Sequence, residues 1–386
     1  SPNPPTAPAP APRTDTSPNA GPAARVRGVC HAAFAYDLGF SISLEQAHRL
    51  IGEADRPRVV RARRPSPAWF EYEPSPVRFG IAAEPIDVDG RSTEPVIDCL
   101  IFDFGAVSLT YRLPIEAAPE ELPAISAALY DNERLLADSR ARAERLLETI
   151  RGAVARPVLS DLVEDYFIFA LDPAPLGATP AEFLARHEDA LGRLLLSESG
   201  PVSAEQIRRA LHTRMSYSDA DLTAIDWHAA LLIDDTPDDV VALLTYANVE
   251  LLEMRVLDEQ LDRLLDQAHV LLARLSRRRV WPIPQGSREI RQFAEIQTDS
   301  ALMFEGVNNA IKLVGDQYLA RLYEAAAAKL HLPRWDASVL RKLATAESVY
   351  QKMTDATSHK RMEVLEIIII LLILISIIMP LIPGVY

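Results

Sequence analysis

The rhythm of apolar and polar positions changes three times along this chain, and each change predicts a different kind of structure. Between residues 25 and 115 the apolar residues come in short runs separated by Gly, Pro and Asp, the spacing of strands joined by tight turns. "VRGVCHAAFAY", "RPRVVRARR" and "AWFEYE" are such runs. The strongest is "PVIDCLIFDFGAVSLTYRL", rich in β-branched and aromatic residues, in which Gly105 marks a candidate bulge. "DVDGR" supplies the Asp-Gly pair of a hairpin at Asp89 and Gly90. One helix interrupts the strands: in "SLEQAHRLIG", Ser43 and Gln46 form a capping box and Gly52 closes the segment.

Residues 117 to 154 take up helical spacing, most clearly in "ERLLADSRARAERLLETIRGAV". "LVEDYFIFALDP" returns to a strand pattern, and shorter helices are expected around 180–197 and 203–214. "DLTAIDWHAALLID" reads as one last strand whose continuous apolar half marks it as buried. Strands and helices mixed without a regular βαβ beat imply an α+β domain over residues 25–235.

Beyond residue 235 the pattern is helical throughout. "DDTPDDVVALL" opens a helix with Thr236 as N-cap, Pro237 at the first turn and acidic residues beside it. A 3,4 spacing then runs through Leu244, Ala247, Leu251, Met254, Asp258, Leu261, Leu265, Ala268, Leu272 and Leu275, with Asp258 the polar interruption. This predicts a seam in which Leu244, Leu251, Met254, Leu261, Leu265 and Leu272 meet a second copy, so that charges at Leu251 and Leu261 separate the copies. A second helix is expected through Phe304, Val307, Ile311, Val314, Tyr318 and Leu322, and a third from Trp335 through Tyr350. The expected fold is therefore an α+β N-terminal domain followed by a long-helix bundle or coiled-coil stalk, residues 236–362.

The third change is the tract "LEIIIILLILISIIMPLIPGVY". Residues 367–386 contain no charge and at about 1.5 Å per residue reach roughly 30 Å, the thickness of a hydrocarbon core. One C-terminal transmembrane helix, a tail anchor over residues 363–386, is expected. His359, Lys360 and Arg361 precede the tract, and the positive-inside tendency places the N-terminal bulk in the cytoplasm of a bacterial inner membrane, or in the matrix at a mitochondrial one. At the other end, residues 1–22 hold eight prolines and no apolar run, so residues 1–24 read as a disordered Pro/Ala-rich arm. Ser1 in place of Met suggests a chain that is processed or cut from a longer one.

Composition narrows the chemistry. With 54 acidic and 40 basic side chains the net charge is -14, against a protein that coats nucleic acid. Cys30 and Cys99 are the two cysteines and offer no zinc spacing; whether they meet is open. No P-loop, HExxH, GxSxG or strand-linked GxGxxG occurs, so no catalytic, cofactor or metal residues are assigned. The most enzyme-like stretch is "DWHAALLIDDTPDD", where Asp226 and His228 would share one strand face and Asp234, Asp235, Asp238 and Asp239 follow. A strand leading into an acidic helix start explains most of it. Two basic clusters, Arg61, Arg63 and Arg64 and then Arg277, Arg278 and Arg279, stand out; the second, with Lys360 and Arg361, is assigned to lipid headgroups or RNA.

"RWDASVLRKLATAESVYQKMTDATSHKRMEVLEIIIILLILI" resembles the C-terminal signature of the YagE family, also called the required-for-meiotic-nuclear-division family. Leu365, Glu366 and Ile367 to Ile370 match its Leu-Glu-aliphatic start of a membrane segment, and "LIFDFGAVSLTYRLP" is similar to its central strand. The resemblance implies a membrane-anchored, self-associating scaffold or tether near the translation machinery, with no catalytic residues. The expected function is thus a non-enzymatic tail-anchored scaffold without cofactors. Its expected partners are itself, the lipid bilayer, and the ribosome or another membrane-associated protein. The alternative is a membrane-tethered enzyme or ligand sensor using the Asp226/His228 region.

Overall fold

The protein is seen in a computed structural model that describes residues 25–54, 59–60, 71–72, 74–277, 285–309, 311–312 and 317–378. At its centre lies β1 (Val26–Asp37), paired along its whole length with one neighbour and from Gly28 to Tyr36 with the other. The other strands, in chain order, are β2 (Ser41–Ile42), β3 (Val59–Val60), β4 (Glu71–Tyr72), β5 (Val77–Ala82), β6 (Asp87–Val88), β7 (Arg91–Ser92) and β8 (Val96–Ile101). They continue with β9 (Ala106–Ala117), β10 (Val154–Ala155), β11 (Val163–Leu171), β12 (Arg214–Met215), β13 (Leu222–Ile225), β14 (Ala229–Ile233) and β15 (Ile311–Lys312). Nine of them form one sheet in the order β12-β13-β14-β11-β1-β9-β8-β5-β3. Its ladders are antiparallel except for β11 with β14.

Both faces of this sheet are covered, which is why its central strands read as unbroken apolar runs. On one face Cys30, Ala32, Phe34 and Tyr36 of β1 join Phe167, Phe169 and Leu171 of β11 and Leu231 and Ile233 of β14. They pack under α1 (Leu44–Ala54), α2 (Leu122–Leu129), α3 (Glu133–Ile150), α4 (Pro180–Arg186), α5 (Glu188–Leu195) and α6 (Ala204–Ala210). Phe34 meets Tyr111 and Phe167 edge to face, at 5.8 and 6.4 Å between ring centres. Two polar ties fasten α3 to this face: Tyr36 Oη lies 2.7 Å from Ser139 Oγ, and Tyr111 Oη donates to Asp138 at 2.7 Å.

The opposite face carries the long helices α7 (Asp238–Arg277), α8 (Gln285–Asn309), α9 (Gln317–Lys329) and α10 (Leu332–Ile378). Ala35 and Ala106, from the far sides of β1 and β9, meet Tyr246, Val249 and Leu257 of α7. Tyr166, Ile168 and Ala170 of β11 meet Leu243, Leu244 and Ala247 of α7 and Leu322 and Ala326 of α9. The helical half is therefore folded back on the sheet and is no free stalk.

This corrects the seam. Leu251, Leu244, Met254 and Leu261 are 3%, 1%, 0% and 0% exposed, and Leu265 and Leu272 pack against the same interior from its edge. The stripe is wide because α7 must touch the sheet, α8, α9 and α10 at once, so these six leucine and methionine side chains are taken up within one chain. The expected second helix is also corrected. α8 stops at Asn309, Ile311–Lys312 form β15 against β4, and Tyr318 and Leu322 belong to α9. Val314 lies outside the described residues. Likewise "DLTAIDWHAALLID" is two antiparallel strands, β13 and β14, turning at Trp227 and His228.

The C-terminal transmembrane helix is corrected too. The described part of the apolar tract, from Ile367 to Ile378, continues α10. Among the described residues no helix is long and apolar enough to cross a membrane. The tail-anchored placement in an inner membrane, bacterial or mitochondrial, loses its basis with it. Residues 379–386, which the expected span had included, lie outside the described residues, as do residues 1–24 and Arg61, Arg63 and Arg64. Cys30 and Cys99 are free, buried and on strands separated by β9, and burial pushes both thiols well up.

Because Leu261 is wholly enclosed by its own chain, Leu261→Asp is expected to unfold the helical layer, costing at least about 4 kcal/mol in urea denaturation. A variant with native stability and reduced mass would instead restore the intermolecular seam.

Candidate functional site

The tight turn at the end of β13 builds one side of a cleft. Asp226 N–H donates to the Ala229 carbonyl at 2.9 Å, leaving Trp227 and His228 as the two loop residues. Tyr166 Oη, buried in β11, donates to the Asp226 carbonyl at 2.8 Å and fixes the turn from below. α6 supplies Arg209 from its last turn, and Thr213 follows it, its carbonyl accepting from Ile225 N–H at 2.9 Å. The other wall is the end of α9, with Ala325, Ala328, Lys329 and His331. Together they enclose about 460 Å³.

Charge in the cleft is arranged as a pair and a remainder. Lys329 Nζ donates to Asp226 Oδ1 at 2.6 Å, with the two side chains only 20% and 13% exposed. Lys329 is also the last residue of α9, where a cation meets the unpaired carbonyls of a helix end. Arg209 makes no ion pair among the described residues and is exposed. At the mouth the Trp227 ring, 38% exposed, lies 5.4 Å from that of His331. His331 holds a left-handed backbone (φ 56°) where α9 gives way to α10, a conformation uncommon outside glycine. The arrangement can bind: it offers an exposed guanidinium, a flat aromatic surface and a polar floor. A second hollow of about 540 Å³ between α4, α5 and β12 is lined mainly by small and apolar side chains with Glu188 and Arg214.

Asp226 and His228 do not come together. The hairpin turns them apart, and the His228 ring packs on Tyr130 at 4.9 Å between centres. Asp234 is used locally, its Oδ1 accepting the Thr236 N–H at 2.9 Å. Among the described residues no three His, Cys, Asp or Glu side chains gather to hold a metal ion. Of the basic residues assigned to lipid or RNA, Arg277 ends α7 and Lys360 and Arg361 lie along α10; their side chains, and Arg278 and Arg279 entirely, lie outside the described residues. Sequence reasoning missed Arg209, Thr213, Trp227, Lys329 and His331. Nothing local marks Lys329, whose partner Asp226 stands 103 residues away.

Residues 27–239, more than half the chain, match the family described as uncharacterized protein MJ0711, N-terminal domain. The chain belongs to that family. A protein of Methanocaldococcus jannaschii named uncharacterized protein MJ0711 is 26% identical over 177 residues, 44% of this chain and 52% of the relative. The chain thus spans about half the length of the curated relative it matches. No solved structure matches. Membership in the MJ0711 N-terminal family replaces the YagE resemblance, which nothing in these comparisons indicates: the match falls on the sheet and its first helices, not on the C-terminal signature. It takes in Arg209, Thr213, Asp226 and Trp227 but stops before Lys329 and His331.

Removing the Lys329 amine strands the Asp226 carboxylate in a nearly closed place. Lys329→Met is expected to cost about 3 kcal/mol by urea denaturation, and adding Asp226→Asn should recover most of it. Equal stability of wild type and Lys329→Met would show that the pair contributes nothing.

Proposed function

We propose that this chain is a non-catalytic ligand-binding module whose cleft takes a small molecule joining a flat ring to a phosphate or carboxylate. The observation that carries this reading is the exposed Trp227 ring in one cleft with Arg209, which makes no ion pair among the described residues, and with the Asp226–Lys329 pair. A ring stacked on Trp227 gains contact area at little entropic cost, since the indole is held by its turn. An anionic group on Arg209 gains a charge-assisted, two-pronged hydrogen bond. The Lys329 amine, already neutralised by Asp226, would serve as a donor and not as a net charge. This keeps the sensor alternative of the sequence but moves it from the Asp226/His228 pair to Asp226/Lys329.

A second reading, self-association as a scaffold, is supported by a different observation. From Ile367 to Ile375 all nine residues are aliphatic and each is about half exposed, all round α10. Helices apolar on every side are buried in what they belong to, and a bundle formed with other copies would cover this one. Light scattering on the intact chain decides it: a single-chain mass excludes this reading.

For the cleft, tryptophan fluorescence should be titrated with AMP and with indole-3-acetate, using inorganic phosphate and adenosine as halves of the first probe. Saturable quenching by at least one two-part probe is expected, absent in Trp227→Phe and weakened roughly tenfold in Arg209→Ala. No response to either two-part probe, or an unchanged response in both variants, would remove the reading.

A further inference from the structure

A second feature lies away from the cleft, where α7 crosses the end of β1. Glu253 of α7 is 0% exposed, and neither of its carboxyl oxygens has a hydrogen-bond partner among the described residues. It sits one turn from Val249 and one turn from Leu257, both wholly buried against Ala35 and Ala106 of the sheet, so it points into the layer junction. At the same junction is Asp37, the last residue of β1, paired in register with Ala106; it is 6% exposed, with one oxygen accepting the Gly39 N–H at 3.0 Å. The surroundings are apolar: Phe102 and Phe104 stack at 5.2 Å, and Tyr246 closes on Phe102 at 6.1 Å. Two ionised carboxylates in such a place repel each other and lack the donors that would offset their lost hydration.

We propose that Asp37 and Glu253 are a proton-held latch that joins the helical layer to the sheet, and that losing the proton loosens α7 from β1. A shared proton removes the repulsion and one of the buried charges. Burial, and then the charge of Asp37, push Glu253 well up, while burial pushes Asp37 up to about 7 despite its bond from Gly39. For acids raised in the folded state the sign is fixed. The folded protein holds protons that the unfolded chain releases above its ordinary carboxyl range, so the stabilisation is full below about pH 4 and is lost as pH rises through about 7.

Other titratable groups face α7 and must be told apart from the latch. Glu164 of β11 is paired with Arg255 and pushed up to about 6 by burial, with Asp165 next to it raised by burial. Asp103, in the β8–β9 turn, is raised by burial. From α9 and α10, Tyr323 donates to Glu250, which burial pushes up to about 7, and Asp336 is raised by burial. Lys342 lies on Asp258 and Asp262. At the α8 side Arg156 pairs with Asp299. The latch is what changes when Glu253 alone is replaced.

The test is hydrogen exchange of the α7 amides in the intact chain, corrected for intrinsic rates, together with the thermal midpoint, between about pH 5 and about pH 8. In the wild type both protection and midpoint are expected to fall as pH rises. Glu253→Gln cannot ionise and should flatten the fall, leaving α7 protected about tenfold more than wild type at the alkaline end, the equivalent of one pKa unit. Glu253→Leu serves the same purpose if glutamine disturbs folding. An equal fall in wild type and in the folded variants overturns the latch. So does full protection of the alkaline wild type, but not of the variants, by magnesium or calcium chloride, because a cation and not a proton would then join the two carboxyls.

Discussion

Everything in this molecule depends on β1 being bonded on both edges and covered on both faces. A strand in that position has no side left for water, so its sequence must be apolar at consecutive positions and its neighbours must supply two separate roofs. β9 and β11 take the edges in long antiparallel ladders. Cys30, Ala32, Phe34 and Tyr36 call for the first roof, which α3 and its companions provide, and Ala35 for the second, which is α7. The polar ties from Tyr36 to Ser139 and from Tyr111 to Asp138 are affordable for one reason: each buried hydroxyl finds its partner in the roof helix itself.

The same constraint decides what could be read along the chain. Local features were legible. The Asp89-Gly90 turn joins β6 to β7, with both residues at positive φ (52° and 76°), because an Asp-Gly pair needs nothing distant to form it. Gly105 was legible as a special position, and the reason is tertiary: at φ +110° a side chain there would lie 1.9 Å from the Gly39 carbonyl oxygen. Distant features were not legible. Leu251 and Leu261 repeat as they would in a seam between copies, and periodicity carries no record of whether the partner is another chain or this chain's own sheet. The Trp227–His228 turn has neither Gly nor Asn to announce it, so β13 and β14 looked like one strand. α8 gives way to a short strand, Ile311–Lys312, that pairs with β4 about 240 residues earlier, a partner that heptad counting cannot see. The apolar tract at the end invited a span whose last residues are not among those described.

The candidate site was half legible for the same reason. Asp226 stood out because acids are rare beside apolar strands, but the sequence neighbour His228 suggested the wrong partner. Its true partner, Lys329, arrives from beyond the segment that matches the MJ0711 N-terminal family. That segment ends at residue 239, just as α7 begins, so the family domain supplies the sheet side of the cleft and the helices that follow supply its other wall. A chain of this family without a helix in the place of α9 would leave an acid at the position of Asp226 to face water or another partner.

α7 links this wall to the rest. On its inner face Glu253 points into the junction with β1; three residues earlier Glu250 accepts the Tyr323 hydroxyl of α9 at 2.5 Å. Tyr323 stands six residues before Lys329 on the same helix. A carboxyl at the sheet, a hydroxyl on α9 and the cation of the cleft therefore lie along two rigid helices with one strong hydrogen bond between them. Coupling between distant sites needs such a contiguous element with two arrangements. An ionised carboxylate accepts a hydroxyl more strongly than a neutral acid does, so the Glu250–Tyr323 bond ties α9 to α7 in either state of the acids further along α7.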